Sequence, residues 1–287
     1  MEKEELERLQ RLSAKIRIDI LEMLLHRGYG HLGGSMSLVE LMSVLYGSQL
    51  TYDCKNPTWD KRDRVVLSKG HAGPVLYSAL AESGFFPKEK LFTLNDGGTM
   101  LPSHPDRLKT PGVDMTTGSL GQGTSTAAGI AYGLKLKGSD SYTYLIVGDG
   151  ELNEGQCWEA FQFIASNKLD HLIVIIDNNK RQLDGYLEQV INPFDIPSKM
   201  QAFGFATQTV AGRDIEGIDK AIRAAKANTG CANCIVLDSI KGAGIDYFEK
   251  LADNHSIKFN SEEIKSAAVR GIQDLKAYLE KVDDADV

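Results

Sequence analysis

Residues Tyr142-Thr-Tyr-Leu-Ile-Val147 run straight into Gly148-Asp149-Gly150, and a second apolar run, Leu172-Ile-Val-Ile-Ile176, leads through Asp177 into Asn178-Asn179. Each run is short, unbroken and apolar, the mark of a strand buried on both faces. Between them, residues 155 to about 168 carry Trp158, Phe161 and Ile164 on one side of a helix. Strand, helix, strand over this length is a parallel βαβ unit, which brings the two strand ends side by side. A carboxylate, Asp149, and a side-chain amide, Asn179, can then converge on one hard cation. The flanking glycines let the backbone approach a phosphate and donate N–H groups to it.

Outward from this unit the alternation continues. Leu6, Leu9, Leu12, Ile16, Ile20 and Leu24 form the stripe of a helix over residues 4 to about 26, stopped by Gly28 and Gly30. The segment Gly-Tyr-Gly-His-Leu-Gly-Gly is a loop, and Ser37 with Glu40 has the spacing of a capping box opening a helix over Leu38 to Leu50. Arg64 to Ser68 reads as a strand and Val75 to Ala81 as a helix ending at Gly84. Asn95 to Gly123 is a long, turn-rich loop, and long ordered loops tend to be functional. Strands follow at Phe205 to Val210 and Cys234 to Ile240, with helices from about Asp214 and over about Ser261 to Val282. The predicted fold is α/β: a doubly wound, mainly parallel sheet with helices on both faces. Ligands of such sheets lie beyond the carboxyl ends of the strands, so the loops after Ser68, Val147, Ile176 and Ile240 are the places to search.

The 287 residues allow about two domains at roughly 150 residues each, or one large α/β unit, and no repeat or linker divides them. With 42% hydrophobic and 25% charged residues the chain is far from the composition that stays disordered. Lys plus Arg number 32 against 39 Asp plus Glu, a net charge of −7 that argues against a nucleic-acid or anionic-membrane partner. The start MEKEELERLQ lacks the apolar stretch of a secretory signal, and no run reaches the ~18 apolar residues of a spanning helix; the expectation is a cytoplasmic protein. Four scattered cysteines do not make a disulfide framework. Cys231-Ala-Asn-Cys234 lacks the second ligand pair of a structural zinc site and reads as two small residues entering a strand.

Of six histidines, four stand in loops: Gly30-His31, Gly70-His71, His104-Pro105 and Asn254-His255-Ser256. The Gly-Asp-Gly through Asn-Asn pattern resembles the thiamin-diphosphate-binding motif. The segments GHLGGSMS, DRVVLSKGHAGPVLY, LPSHPD, TTGSLGQGTSTAAGIAYGLK, GDGELNEGQCWEA, IVIIDNNKRQLDG and IKGAG resemble transketolase, in that family's order, from about residue 10 to 258. One departure is visible: Asn254 and Ser256 flank His255 where the family often has an aromatic residue and a glycine.

The resemblance implies a site. Asp149, Asn179 and the carbonyl of Arg181 hold magnesium, with calcium or manganese as substitutes. The metal bridges the diphosphate of thiamin diphosphate. His71, Gly150, Lys241 and His255 face the diphosphate, Gly118, Ser119 and Leu120 line the aminopyrimidine, and Leu183 packs on the cofactor. His31, His104 and His255 surround the reacting carbons, where imidazole can donate or accept protons near neutral pH. Glu154 matches a family glutamate in the network between subunits.

The implied reaction is transfer of a two-carbon ketol unit from a ketose to an aldose. Residues 1–287 correspond to the diphosphate-binding domain alone. The pyrimidine-binding and C-terminal domains are expected on a partner chain, in an α2β2 assembly that is inactive without it. Pentose phosphates are the default substrates, but a split transketolase acting on a phosphorylated branched sugar or a sulfonated sugar would look much the same in this half. The alternatives are the α subunit of a 2-oxo-acid dehydrogenase, for which the histidine loops have no purpose; deoxyxylulose-phosphate synthase, against which a stand-alone half chain argues; a silent binding subunit; and a nicotinamide oxidoreductase. Gly118-Ser-Leu-Gly121-Gln-Gly123 does not match the dinucleotide fingerprint.

Overall fold

Four apolar runs of the sequence and a more polar edge strand assemble into one parallel sheet in the computed structural model, which describes residues 1–285. The strands are β1 (Arg64–Leu67), β2 (Thr143–Gly148), β3 (Leu172–Asn178), β4 (Phe205–Ala211) and β5 (Ala232–Asp238). Their order is β1-β2-β3-β5-β4, and every neighbouring pair is parallel. The register sets Gly148 beside Asp177 and Asn178 beside Asp238, so the ends of β2, β3 and β5 lie together.

The main helices are α1 (Lys3–Arg27), α2 (Val39–Val44), α3 (Gly73–Glu82), α4 (Gln122–Leu136), α5 (Gly155–Ser166), α6 (Ile196–Ala202), α7 (Ile215–Ala227) and α8 (Glu262–Ala285). Alternate strand residues divide between two cores because successive side chains leave opposite faces. Ile146, Ile173, Ile175, Ile235 and Leu237 pack with α1, α2, α3, α7 and α8. Val147, Leu172, Val174, Ile176 and Val236 pack with α4, α5 and α6. A sheet covered on both sides leaves only its ends and loops for chemistry.

Most boundaries fall where the sequence places them. Gly28 closes α1 at φ +85°, its N–H donating to the Leu24 carbonyl, and the Asp214 carboxylate caps α7 through the Gly217 N–H at 2.9 Å. None of residues 95–121 lies in a helix or strand. Cys234 is a buried residue of β5, and Cys231 stands just before that strand, accepting a bond from Asn228.

Three expectations are corrected. The capping box does not form: the Ser37 hydroxyl donates to the Gly34 carbonyl and to Asp177, and Glu40 pairs with Arg17 at 2.7 Å. The expected helix over Leu38 to Leu50 is instead α2 followed by a π-turn over Leu45–Gln49, and Leu38 to Tyr46 are buried all round. The loop around His31 contains a helical turn, Gly33–Met36. Helix α4 went unread in the sequence, as did α6. Two short pairings add to the site: Tyr29–Gly30 with Ile257–Lys258, and the hairpin Arg181–Gln182 with Gly185–Tyr186. Among the described residues, no helix is long and apolar enough to cross a membrane.

Candidate active site

The loops after β1, β2, β3 and β5 open onto one cleft of about 470 Å³. Its wall takes Lys69 and His71 from the first loop, Asp149 and Gly150 from the second, Asn179 to Asp184 in part from the third, and Lys241 from the fourth. His31, His104 and His255 reach it from loops outside the sheet. His31 stands at the centre of the four imidazoles: its ring lies 5.7 Å from that of His71, 5.6 Å from His104 and 5.3 Å from His255. His71 and His255 are 4.8 Å apart.

Tight backbone stitching holds these loops. The Gly33 N–H donates to the Asn254 carbonyl and the Gly242 N–H to the Gly33 carbonyl, so the His31, Lys241 and His255 loops form one unit. A Cβ on Gly33 would stand 2.3 Å from the Asn254 oxygen and 2.9 Å from Lys241 Cγ, which only glycine avoids. Asn254 is buried, and its amide donates to the carbonyls of Lys241 and Phe248. That double bond to the backbone is the work of the asparagine standing where the family often has an aromatic residue.

The four imidazoles are poor bases in this setting. Burial, then Lys241, His31 and Lys69, pull His255 down to about 3. Burial with His104 and Lys241 lowers His31, burial lowers His104, and burial with Lys69, His255 and His31 lowers His71 well below 6.5. All four are neutral near pH 7 and can both donate and accept a hydrogen bond. Lys241 is pushed down to about 8 by burial and Lys69, against the pull of Asp149 and Asp177.

Asp149, Asn179 and Arg181 meet at the ends of β2 and β3. Asp149 accepts from the N–H groups of Gly150 and Lys180, and Asn179 Oδ1 accepts from the Arg181 N–H at 3.2 Å. Lys180 adopts φ +67° to present its N–H there. Burial and the neighbouring Asp177 push Asp149 up to about 7, so the pocket lacks positive charge at this carboxylate, a shortage that a dication would make good. Among the described residues no group of three or more His, Cys, Asp or Glu could hold a metal. The oxygens that a cation would meet here are a carboxylate of Asp149, the amide of Asn179 and a backbone carbonyl, a mixed set that a hard cation accepts.

Beneath the wall lies a layer that the sequence reading missed. Asp177 and Lys69, both within 1% of full burial, form an ion pair. Asp177 also accepts from Ser37 at 2.7 Å, from Ser239, and from the Asn179 amide nitrogen at 2.9 Å. The last bond turns the Asn179 oxygen away from Asp177. Burial raises the Asp177 carboxyl, but Lys69, Ser239 and Ser37 outweigh it and the net shift is downward. Glu151, equally buried, accepts from the Ser68 hydroxyl at 2.5 Å, the Gly121 N–H at 2.7 Å and the Gly148 N–H at 3.0 Å, tying β1, β2 and α4 together. A charged residue one position from each motif, Lys69 before Gly70-His71 and Asp177 before Asn178-Asn179, was the available signal.

Of the remaining expected residues, Gly118 and Leu120 line the cleft, with Gly118 at φ +145° and the His104 ring 3.1 Å from where its Cβ would be. Leu183 is in the wall but 67% exposed. Ser119 is exposed and stands outside the wall. Glu154 lines the cleft and makes no cap bond to the start of α5.

The family model described as transketolase, thiamine diphosphate binding domain, matches residues 9–278. The chain is similar to the 6-deoxy-6-sulfo-D-fructose transketolase subunit SqwG of Clostridium sp. (strain MSTE9), being 46% identical over 260 residues that cover 90% of this chain and 94% of that one. It is 37% identical over 238 residues to an apulose-4-phosphate transketolase subunit from Actinobacillus succinogenes, covering 83% of this chain and 86% of that one. The solved transketolase of Campylobacter jejuni superposes with a TM-score of 0.83 at 28% identity, over 97% of this chain and 48% of that one. The chain thus spans about half the length of that solved enzyme and most of the length of the two subunits.

Proposed function

The chain belongs to the transketolase family through its thiamine-diphosphate-binding domain, and from that premise we propose that it transfers a two-carbon ketol unit from a ketose to an aldose as one subunit of a two-chain enzyme. The observation that carries this reading is the convergence of four neutral imidazoles with Asp149 and Asn179 at one end of the sheet. Thiamine diphosphate, when bound, supplies the electron sink that breaking and making a carbon–carbon bond beside a carbonyl requires.

The protein's own residues do the rest. Asp149, Asn179 and the Arg181 carbonyl hold magnesium, or calcium or manganese in its place. His71, Gly150, Lys241 and His255 face the diphosphate, and Gly118, Ser119 and Leu120 with Leu183 seat the rest of the cofactor. His31, His104 and His255 exchange protons with the substrate's hydroxyl oxygens, a task that suits imidazoles held neutral but within reach of one another.

The pyrimidine-binding and C-terminal domains lie on a partner chain, in an α2β2 assembly with Glu154 in the contact between subunits. Support comes from the relatives: two proteins to which this chain is 46% and 37% identical are themselves named as transketolase subunits. The donor is a ketose with an anionic tail. The 46% identity to the SqwG subunit favours 6-deoxy-6-sulfo-D-fructose, ahead of the pentose phosphates and branched sugar phosphates.

The test is ketol transfer to ribose 5-phosphate by the chain co-expressed with its partner, with thiamine diphosphate and magnesium, from 6-deoxy-6-sulfofructose and from xylulose 5-phosphate. Activity is expected only with both chains, and faster from the sulfonated donor. Activity of this chain alone overturns the two-chain reading. A cofactor-loaded complex that transfers no ketol unit from either donor overturns the reaction.

A further inference from the structure

We propose that Lys241 is a built-in competitor for the metal: in the cofactor-free chain its ammonium occupies the Arg181 carbonyl, and a diphosphate draws it off so that the metal can bind tightly. This rests on the reading of Asp149, Asn179 and Arg181 as the metal ligands.

The geometry is specific. Lys241 is 3% exposed, and its Nζ donates to the Arg181 and Gln182 carbonyls, each at 3.3 Å, while lying 3.1 Å from His255 Nδ1. Every proposed ligand oxygen is engaged by a protein donor: Asp149 by the Gly150 and Lys180 N–H groups, Asn179 Oδ1 by the Arg181 N–H, the Arg181 carbonyl by Lys241. Backbone N–H groups can remain while a metal takes the other lone pair of each oxygen. A full positive charge on the same carbonyl cannot, because ammonium and dication repel strongly at this separation in a buried site.

Two carbonyls and a neutral imidazole are modest acceptors for a buried ammonium. Phosphate oxygens are better ones, and lysine meets them as a point charge on a flexible stem. The stem packs on Gly33, whose position leaves 2.9 Å from an added Cβ to Lys241 Cγ, so its base is held by that loop and only rotation about the bonds beyond Cγ is needed to carry the amine from the carbonyls to a phosphate. Metal and diphosphate binding are therefore coupled through this one side chain, each strengthening the other.

The experiment is a titration of the full chain with Mn²⁺ alone, followed by electron paramagnetic resonance, with circular dichroism to check folding. Lys241→Met and Lys241→Gln should each bind Mn²⁺ more tightly than the unaltered chain, by about tenfold or more. Lys250→Met removes an equal charge at the surface, where Lys250 Nζ pairs with Asp246 at 3.3 Å outside the cleft, and should change affinity by less than about threefold. A loss of packing alone would weaken binding rather than tighten it. Unchanged or weaker binding in both folded Lys241 variants overturns the proposal, as does equal tightening by Lys250→Met. Asp149→Asn should abolish binding in every background, and Mn²⁺ binding that survives it overturns the metal-site reading instead.

Discussion

His255 carries the clearest pH signature of any single residue here. Its folded-state value of about 3 lies below the ordinary 6.5, through burial first and Lys241 next. The unfolded chain therefore takes up a proton below pH 6.5 that the folded chain refuses. Stability from this group is complete above 6.5 and is lost as pH falls from there toward 3. Urea unfolding of the cofactor-free chain at about pH 7 and about pH 5 should show a steeper loss for the unaltered chain than for His255→Asn; equal slopes would show that the imidazole is not shielded. His104 tests the chemistry separately, since its ring neighbours that of His31, at 5.6 Å, and Gly118. His104→Ala should keep metal and cofactor binding in the assembled enzyme and lower kcat by about a hundredfold or more, whereas release of the cofactor would move His104 out of the substrate side. The histidines, Asp149 and Asn179 were legible because each sits in a short motif beside glycine, proline or asparagine. Lys69 and Asp177 were not, because the pair is 108 positions apart in sequence and only the register of β1, β2 and β3 brings them together.

At the scale of elements, β4 at the sheet edge is half-exposed and carries Thr207, Gln208 and Thr209, but the inner strands were readable because burial on both faces requires unbroken apolar runs. Helix α4 was not. Gly129 and Gly133 interrupt it, and its buried side consists of Gly123, Thr124, Ala127, Ala128 and Ala131, too small to print an apolar stripe. The π-turn after α2 escaped for the opposite reason, as a segment buried on every side has no stripe at all. The loops are where the sequence is richest and the structure least tolerant. Gly33→Ala must push Asn254 or Lys241 aside, separating the loops that carry His31, Lys241 and His255. The expected cost is about 1–3 kcal/mol of folding stability, with weaker cofactor binding measured on the assembled enzyme. Normal stability and binding in this variant would mean that the three loops move independently.

For the whole molecule, the doubly wound architecture followed from strand and helix alternation, but the placement of β5 between β3 and β4 did not, since alternation identifies strands without naming their neighbours. If the cofactor lies between this chain and a partner, its binding energy also holds the two together. Thiamine diphosphate with magnesium should then raise the melting temperature of the co-purified complex more than that of the isolated chain, because a ligand stabilises the state that binds it more tightly. An equal rise in both would place the whole cofactor site on this chain. The sheet itself imposes a further condition. In β3, Ile173 and Ile175 face one core, Leu172, Val174 and Ile176 the other, and Asp177 continues the first row on its way to Lys69. Adding or deleting one residue in that strand would exchange the two rows, bury the carboxylate among the aliphatic side chains opposite, and rotate Asn179 out of the cleft in the same event. Descendants of this chain can lengthen or shorten their surface loops, but along β3 the spacing between core and chemistry is inherited as a single frame.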